Sequence, residues 1–224
     1  MVKETRLPIW AAARTIYTCA CVLSDSNYAK YLAPRLLPNY KIKLGEGLIF
    51  SDQEFLKILK NGFGFPEFKS LFLYPYRSMQ SFKQLWQVGK LFRTNDSKKC
   101  APILLHGSLE AICTYMNNHR KSGEVLEAER GSSLAVTILG TEEIYLIDHE
   151  SKTGWSVSSK KNKVFASASL VFKNHHIAHQ ASLGKLDSWV AMVKGDILLS
   201  GRIPLLDKFG YIARIAQWEV PKPK

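Results

Sequence analysis

The sequence predicts an α+β fold, in which helices cover a five-stranded, mostly antiparallel sheet and a mainly helical extension precedes it. Three observations indicate this fold class. β-rich segments follow one another between residues 132 and 172, which is typical of neighbouring antiparallel strands. Amphipathic helical patterns lie on both sides of these segments. The residue pattern changes near residue 100, from a basic, aromatic-rich sequence to one with β-rich segments. We therefore divide the chain into a basic, aromatic-rich extension, 1–100, and a domain, 101–224.

Composition and charge limit the possible functions. Hydrophobic residues make up 46% of the 224 residues and charged residues 22%, so we expect a buried core. The net charge of +12 is uneven: residues 1–100 carry 16 basic and 7 acidic side chains, and the remainder carries 15 and 12. A basic face of this kind suits anionic lipid headgroups, nucleic acid or an acidic protein partner, and charge alone does not choose among them.

The cysteines and the chain termini bear on the compartment. The four cysteines form no CxxC pair and no zinc-type spacing, which favours reduced thiols and an intracellular protein. The apolar run from Leu7 to Leu23 is interrupted by Arg14 and falls short of the roughly 20 residues of a membrane span. We interpret it as an amphipathic first helix, with a cleaved targeting segment as the alternative. The final VPKPK is not a peroxisomal signal, so we expect a cytoplasmic or mitochondrial location.

The extension is predicted to be mainly helical. A first helix is expected over residues 7–32. A second begins after Ser51 or Asp52, either of which is a suitable N-cap, and ends at Asn61-Gly62. Polar residues 93–100 form the predicted linker to the domain.

An aromatic, basic helix is predicted just before that linker. Its apolar residues at helical spacing are Phe82, Leu85, Trp86 and Leu91. We predict that the surface of this helix docks on a membrane or a partner protein through Lys83, Trp86, Lys90 and Arg93. The alternative is a helix packed on its neighbour with solvated lysines. Non-specific nucleic-acid binding by residues 1–100 is a weaker third interpretation, since no RNP-like, zinc-finger or KH motif is present.

The domain is predicted to begin with a helix and four strands. Ser108 is the expected cap of the helix, whose apolar face consists of Leu109, Ile112, Cys113 and Met116. The strands are SSLAVTILG, EIYLIDHE, GWSVSS and VFASASLVF, with a hairpin signal at Gly140-Thr141. In the fourth strand small residues alternate with Phe165, Leu170 and Phe172, which predicts an inner face that leaves space.

Two helices, a fifth strand and a last helix are expected to complete the domain. Asn174 caps a helix that runs through Ala181, and a second helix spans 187–194. Gly195 and Gly201 bracket the fifth strand. Pro204 lies in the first turn of the last helix, where proline is favoured. The apolar face of that helix consists of Leu205, Phe209, Ile212 and Ala216.

A catalytic site is not predicted. His175 and His179 lie at i and i+4, a spacing that can share a metal, but no third ligand is close in sequence. Asp148, His149 and Glu150 alternate between the faces of a strand and do not converge. Phosphate-loop, GxSxG and HExxH motifs are missing from the sequence. We therefore expect a protein that is not an enzyme and that needs no metal or cofactor.

The segment GKLDSWVAMVKGDILLSGRIPLLDK, residues 184–208, resembles the C-terminal signature of the sterol carrier protein type-2 (sterol-binding) domain family. That signature has the form G-K-[LM]-[DN]-x3-A-x3-G-x5-G-x3-L-x2-K. It is matched by Gly184, Lys185, Leu186, Asp187, Ala191, Gly195, Gly201, Leu205 and Lys208. The resemblance covers about residues 101–224. The sequence departs from the family at Arg202, where Asp or Asn is common, and at Trp189 and Pro204.

The resemblance implies a sheet covered by helices around an apolar tunnel, which binds sterols, fatty acyl chains, acyl-CoA or phospholipids without altering them. The residues expected to line it are Leu109, Ile112, Met116, Trp189, Met192, Leu205, Phe209 and Ile212. Each of these would serve equally well in an ordinary filled core. The expected function is thus non-catalytic lipid binding, with docking by the basic first half. The alternative is an interaction subunit of a larger, membrane-associated complex whose cavity is vestigial.

Overall fold

The computed structural model describes residues 2–24, 30–62, 64–162 and 164–221, which form two sheets and a set of helices. The α-helices are α1 (Leu7–Leu23), α2 (Asp52–Asn61), α3 (Phe68–Leu73), α4 (Pro75–Arg93), α5 (Ser97–Asn118), α6 (Arg120–Leu126), α7 (His175–Ser182), α8 (Ser188–Val193) and α9 (Ile203–Glu219). The strands are β1 (Pro34–Leu37), β2 (Lys41–Leu44), β3 (Leu48–Ser51), β4 (Leu134–Ile138), β5 (Ile144–Glu150), β6 (Gly154–Lys160), β7 (Ala168–Phe172) and β8 (Ile197–Gly201).

The five-stranded sheet has the order β6-β5-β4-β7-β8. Its β4–β7 pair is parallel and the other three pairs are antiparallel, so the sheet is mixed and the α+β fold class is confirmed. Gly140, with φ of +83°, occupies the predicted hairpin between β4 and β5. Strand β7 is shorter than expected, because it begins only at Ala168, and Phe165 before it is 94% exposed.

Three predicted helix starts in the second half are confirmed. The Asn174 side chain accepts a hydrogen bond from the Ile177 amide and caps α7. Asp187 caps α8 by accepting from the amides of Trp189 and Val190. Pro204 lies in the first turn of α9. These caps satisfy amide groups that the first helical turn leaves without partners, which is why the sequence marks the helix starts so clearly.

Several boundaries in the first half differ from the prediction. The first helix was expected over 7–32, yet α1 ends at Leu23, where Ser24 becomes extended; residues 25–29 lie outside the described part, and Lys30–Leu32 is a single 3-10 turn. The linker expected over 93–100 is also wrong, because only residues 94–96 separate α4 from α5.

The start of α5 explains the second of these differences. The helix begins at Ser97, and the Asp96 side chain caps it by accepting from the Lys99 amide. Ser108, the predicted cap, lies inside the helix, and its hydroxyl donates to the Leu104 carbonyl. The division predicted at residue 100 therefore falls within a helix.

A three-stranded antiparallel sheet, β1-β2-β3, lies in the first half and was not predicted. Its strands β2 and β3 bury alternate residues, Ile42, Leu44, Leu48 and Phe50. The β1–β2 turn places Asn39 and Tyr40 at φ of +58° and +54°, a region that residues with a Cβ rarely adopt. Arg6 fastens this sheet to the start of α1, because its guanidinium donates to Asp52 and to the carbonyls of Leu37 and Lys41.

Helices α1 and α5 contribute to two adjoining hydrophobic cores. One core lies between the five-stranded sheet and the helices that cover one of its faces, and it includes Ala101 and Leu105 of α5. The other lies around the three-stranded sheet and includes Cys100 and Leu104. Neighbouring residues of one helix thus point into different cores, which places α5 at the centre of the molecule.

Candidate lipid-binding site and docking surface

The eight residues predicted to line a tunnel lie in or beside the core of the second half. Five of them are buried in it: Leu109, Met116, Leu205, Phe209 and Ile212. Ile112 and Met192 are half-buried and pack against it. Trp189 differs, because its side chain is 68% exposed. The structure therefore places seven of the eight within one cluster and puts Trp189 at its outer margin.

A set of exposed apolar side chains, which we call the apolar rim, lies on α8, on edge strand β8 and at the start of α9. We define this rim as Trp189, Val193, Leu199 and Ile203, four large apolar side chains that are all exposed. They come from α8, from the edge strand β8 and from the first turn of α9. Leu205 and Phe209 follow Ile203 on α9 and are buried. The first turn of α9 thus carries an exposed apolar residue, Ile203, two positions before the buried Leu205.

Glycines shape the backbone at this rim. Gly195 and Gly201 have φ of +70° and +90°, a region that residues with a Cβ rarely adopt. A Cβ on Gly201 would also lie 2.4 Å from the carbonyl oxygen of Ser167, on the chain leading into β7. Gly195 and Gly201 of the 184–208 signature therefore allow the backbone turns before β8 and at its end.

A buried carboxylate holds the start of α9. The side chain of Glu129 is only 1% exposed; Arg202 Nε lies 2.6 Å from its Oε2 and Lys208 Nζ lies 2.8 Å from its Oε1. Hydrogen bonds from Arg202 and then Lys208 lower the pKa of Glu129 to about 2. Lys208 is the last residue of the signature and Arg202 is one of its departures. Sequence reasoning missed Glu129, because an isolated acidic residue gives no periodic signal.

Two surface clefts lie away from the predicted lining residues. One, of about 200 Å³, is lined by Trp10, Arg14, Glu110, Thr114, Asn117, Asn118, Thr153, Trp155 and Ser156. In it, Arg14 is paired with Glu110. The Asn117 amide group exchanges two hydrogen bonds of 2.7 Å with the backbone of Trp155 and so acts as a partner for edge strand β6. The other cleft is open and lies at the end of α9, beside Trp218.

The histidines and cysteines do not assemble a reactive centre in the described residues. His179 is buried, with Nδ1 3.1 Å from Ser97 Oγ, and burial, followed by the charges of His176 and Lys185, lowers its pKa. Within the described ranges no group of three His, Cys, Asp or Glu side chains is arranged to hold a metal. The four cysteines are free thiols, and burial raises the pKa of Cys19 to about 12, which disfavours the reactive thiolate.

The predicted docking residues share the exposed side of α4. Lys83, Trp86, Lys90 and Arg93 are all exposed, and Lys90 Nζ lies 3.5 Å from the centre of the Trp86 ring. The opposite side of the helix is buried and consists of Ser78, Ser81, Gln84, Val88 and Leu91. Of the stripe expected from the sequence, only Leu91 is buried, whereas Phe82 and Trp86 are exposed. None of the described helices has the length and apolar character required to span a bilayer.

The fold defines an α+β protein with helices on one face of a five-stranded mixed sheet, and three solved structures are similar to part of it. The sterol carrier protein domain 2 of Helicoverpa armigera has a TM-score of 0.40 and 17% identity, covering 51% of this chain and 89% of its own. The UbiJ-SCP2 ubiquinone synthesis protein has a TM-score of 0.39 and 14% identity, covering 51% and 96%. A conserved hypothetical protein of Thermus thermophilus, described as possibly a sterol carrier protein, has a TM-score of 0.35 and 13% identity, covering 50% and 88%. No protein-family model matches the sequence, and no curated protein matches it.

Proposed function

We propose that this protein binds a hydrophobic ligand inside the cell without altering it chemically, and that its basic first half docks it on a membrane or a partner. The ligand class is a sterol, a fatty acyl chain or its coenzyme A ester, or a phospholipid. The observation that supports ligand binding is the exposed apolar rim on α8, β8 and the first turn of α9, which precedes the buried Leu205 and Phe209 along the chain. Clustered apolar surface of this kind marks interaction sites on soluble proteins.

Helix α8 is the element that a ligand would displace. It has six residues, and Ala191 is its only buried one. Elements with few buried contacts open at low free-energy cost, so α8 is suited to move aside. A lipid that enters beneath α8 would contact the core side of β7 and β8. Each Å² of apolar surface that it removes from water contributes about 25 cal/mol to the binding free energy.

A second candidate function is that of an interaction subunit whose cavity has closed. The observation that favours it is the burial of five of the eight predicted lining residues in one packed cluster. In this case the rim would contact another protein and no ligand would enter. The two functions share the same fold and differ in whether α8 opens.

Ligand uptake by the full chain separates the two. Native mass spectrometry of the purified protein, followed by lipid extraction, should show bound lipid, and a fluorescent fatty acid and a fluorescent sterol serve as probes in solution. The double variant Trp189→Ser, Leu199→Ser should weaken uptake, because it removes the apolar path beside α8. Phe165→Ser removes an exposed apolar side chain outside the rim and is the control. A protein that never carries or takes up either class of lipid would favour the interaction subunit.

A further inference from the structure

We propose that the surface formed by α3 and the exposed side of α4 binds the headgroup region of an anionic lipid bilayer. We call this the α3–α4 surface and define it by Phe68, Lys69, Phe72, Leu73, Tyr76, Met79, Lys83, Trp86, Lys90 and Arg93. The proposal rests on the docking part of the proposed function and commits it to a lipid surface rather than to a protein partner. It adds exposed residues of α3 and of the first turns of α4 to the four docking residues predicted from the sequence.

The first half of helix α4 has the reverse of the usual amphipathic arrangement, whereas its second half buries Val88 and Leu91. Its buried side includes Ser78 and Ser81, whose hydroxyls donate to the carbonyls of Gly47 and Tyr31. These small residues allow the helix to approach the neighbouring backbone closely. Its exposed side carries Tyr76, Met79 and Trp86. Helices of soluble proteins normally bury their large apolar residues. We therefore infer that the exposed apolar residues of α4 contact an apolar environment.

The apolar end of the surface lies at the junction of α3 and α4. Phe68, Phe72 and Leu73 of α3 are exposed, Phe72 by 83%. Tyr76 follows directly after Pro75, which begins α4. Aromatic and long aliphatic side chains of this mix are favoured at the boundary between headgroups and acyl chains. This junction is therefore the part of the surface that would insert.

The charged side chains carried by α3 and α4 themselves are all basic. Residues 68–93 contain five basic residues and no acidic one. Arg77 is paired with Glu46, which leaves Lys69, Lys83, Lys90 and Arg93 exposed. Lysine and arginine can lay their aliphatic stems along an apolar surface while their charges reach phosphate groups. A surface with this charge complements an anionic leaflet.

The distribution of charge also distinguishes a bilayer from a protein partner. The centre of a protein interface is depleted of charged residues, and its charges collect at the rim. On α4, Lys83 and Lys90 alternate with Met79 and Trp86 along one line of the helix, and Lys90 lies against the Trp86 ring. This alternation suits a helix that lies parallel to the bilayer surface in the headgroup layer, because aromatic rings and basic side chains are both favoured at that depth.

Flotation of the full-length protein with vesicles tests the proposal. We expect binding to vesicles that contain phosphatidylserine and little binding to pure phosphatidylcholine. Lys83→Gln with Lys90→Gln should lower the partition coefficient about 30-fold, since each basic residue near an anionic surface contributes about fivefold. Phe72→Ser with Leu73→Ser should lower it about tenfold or more, because two apolar side chains no longer insert. Raising the salt from about 0.1 M to about 1 M should release the wild type, because the Debye length falls roughly threefold.

Matched controls lie outside the surface. Lys121→Gln with Lys152→Gln removes two exposed lysines elsewhere, and Phe165→Ser removes an exposed phenyl group; neither should change flotation. All the substituted side chains are exposed, so far-ultraviolet circular dichroism and the unfolding midpoint should match those of the wild type.

Three results would overturn the proposal. One is equal binding to neutral and anionic vesicles, and another is equal loss of binding in the surface variants and the controls. A third is that the wild-type protein does not bind vesicles but self-associates as its concentration rises, and that Phe72→Ser with Leu73→Ser abolishes this self-association. That result would identify a second copy of the protein as the partner of the surface. Uptake of a fluorescent fatty acid without vesicles reports ligand binding separately. The variants of the α3–α4 surface should still take up the fluorescent fatty acid. Loss of membrane docking and loss of ligand binding can therefore be distinguished.

Discussion

The carboxylate of Glu129 allows a prediction whose size follows from its contacts. Glu129→Gln keeps the shape of the side chain and removes the charge that Arg202 and Lys208 contact. Hydrogen bonds to a charged partner contribute about 1.5–3 kcal/mol each. The side chains of Arg202 and Lys208 are partly exposed, so solvent screening reduces both contributions. We therefore expect the variant to lower the free energy of unfolding by about 1–3 kcal/mol.

Urea unfolding followed by tryptophan fluorescence measures this difference, and thermal unfolding gives an independent value. For a chain of this size, about 2 kcal/mol corresponds to a fall in Tm of roughly 4–8 °C. Glu124→Gln is the control, because Glu124 contacts Arg120 in a largely exposed pair and should change stability little.

The pH dependence makes the prediction sharper. The folded protein lowers the pKa of Glu129 from its ordinary 4.5 to about 2, so the unfolded chain takes up a proton first as the pH falls. The stabilisation is fully present above about pH 5 and decreases between the two pKa values. The difference between wild type and Glu129→Gln should accordingly shrink as the pH approaches about 3. A difference that stays constant over this range, or that is below about 0.5 kcal/mol at neutral pH, would refute the role assigned to the carboxylate.

Two further substitutions test contacts that hold the sheets. Asn117→Ala removes both hydrogen bonds to the Trp155 backbone at edge strand β6, and we expect a loss of about 2–3 kcal/mol in urea unfolding; a loss under about 0.5 kcal/mol would mean that water replaces the amide. Gly201→Ala should destabilise the protein strongly, because of its positive φ and the Ser167 carbonyl oxygen 2.4 Å from the new Cβ. Gly210→Ala is its control, since this helical glycine has open space around it and alanine there should stabilise α9 by up to about 1 kcal/mol; equal effects at both glycines would contradict the backbone argument.

Much of the second half of the fold was predictable because its signals are local, although Ser108 lies inside the helix that it was expected to cap. Asn174, Asp187 and Pro204 mark helix starts by their own chemistry, and Gly140 marks a hairpin by its positive φ. The strands β1–β3 were not predictable in the same way. Each has four residues, and β2 alternates its apolar residues with Lys41 and Lys43, so the segment looks like part of a basic extension.

The candidate sites depended on information that the sequence does not carry. Periodicity identified α4 as amphipathic but did not show which side is buried. That choice is made by Ser78 and Ser81, whose small side chains let the helix pack on the backbone at Gly47 and Tyr31. Likewise, the signature marked Lys208 without its partner, because Glu129 is 79 residues away along the chain. Tertiary contacts, rather than propensity, decide both features.

The position of α5 has a consequence for how the molecule unfolds. Because Cys100 and Leu104 pack in one core while Ala101 and Leu105 pack in the other, loss of this helix would expose apolar side chains of both at once. The two cores should therefore melt in a single cooperative transition rather than as separable modules. A fragment that starts at residue 101 would lack the capped first turn of α5 and all of α1, so it is expected to be insoluble rather than a minimal lipid-binding unit.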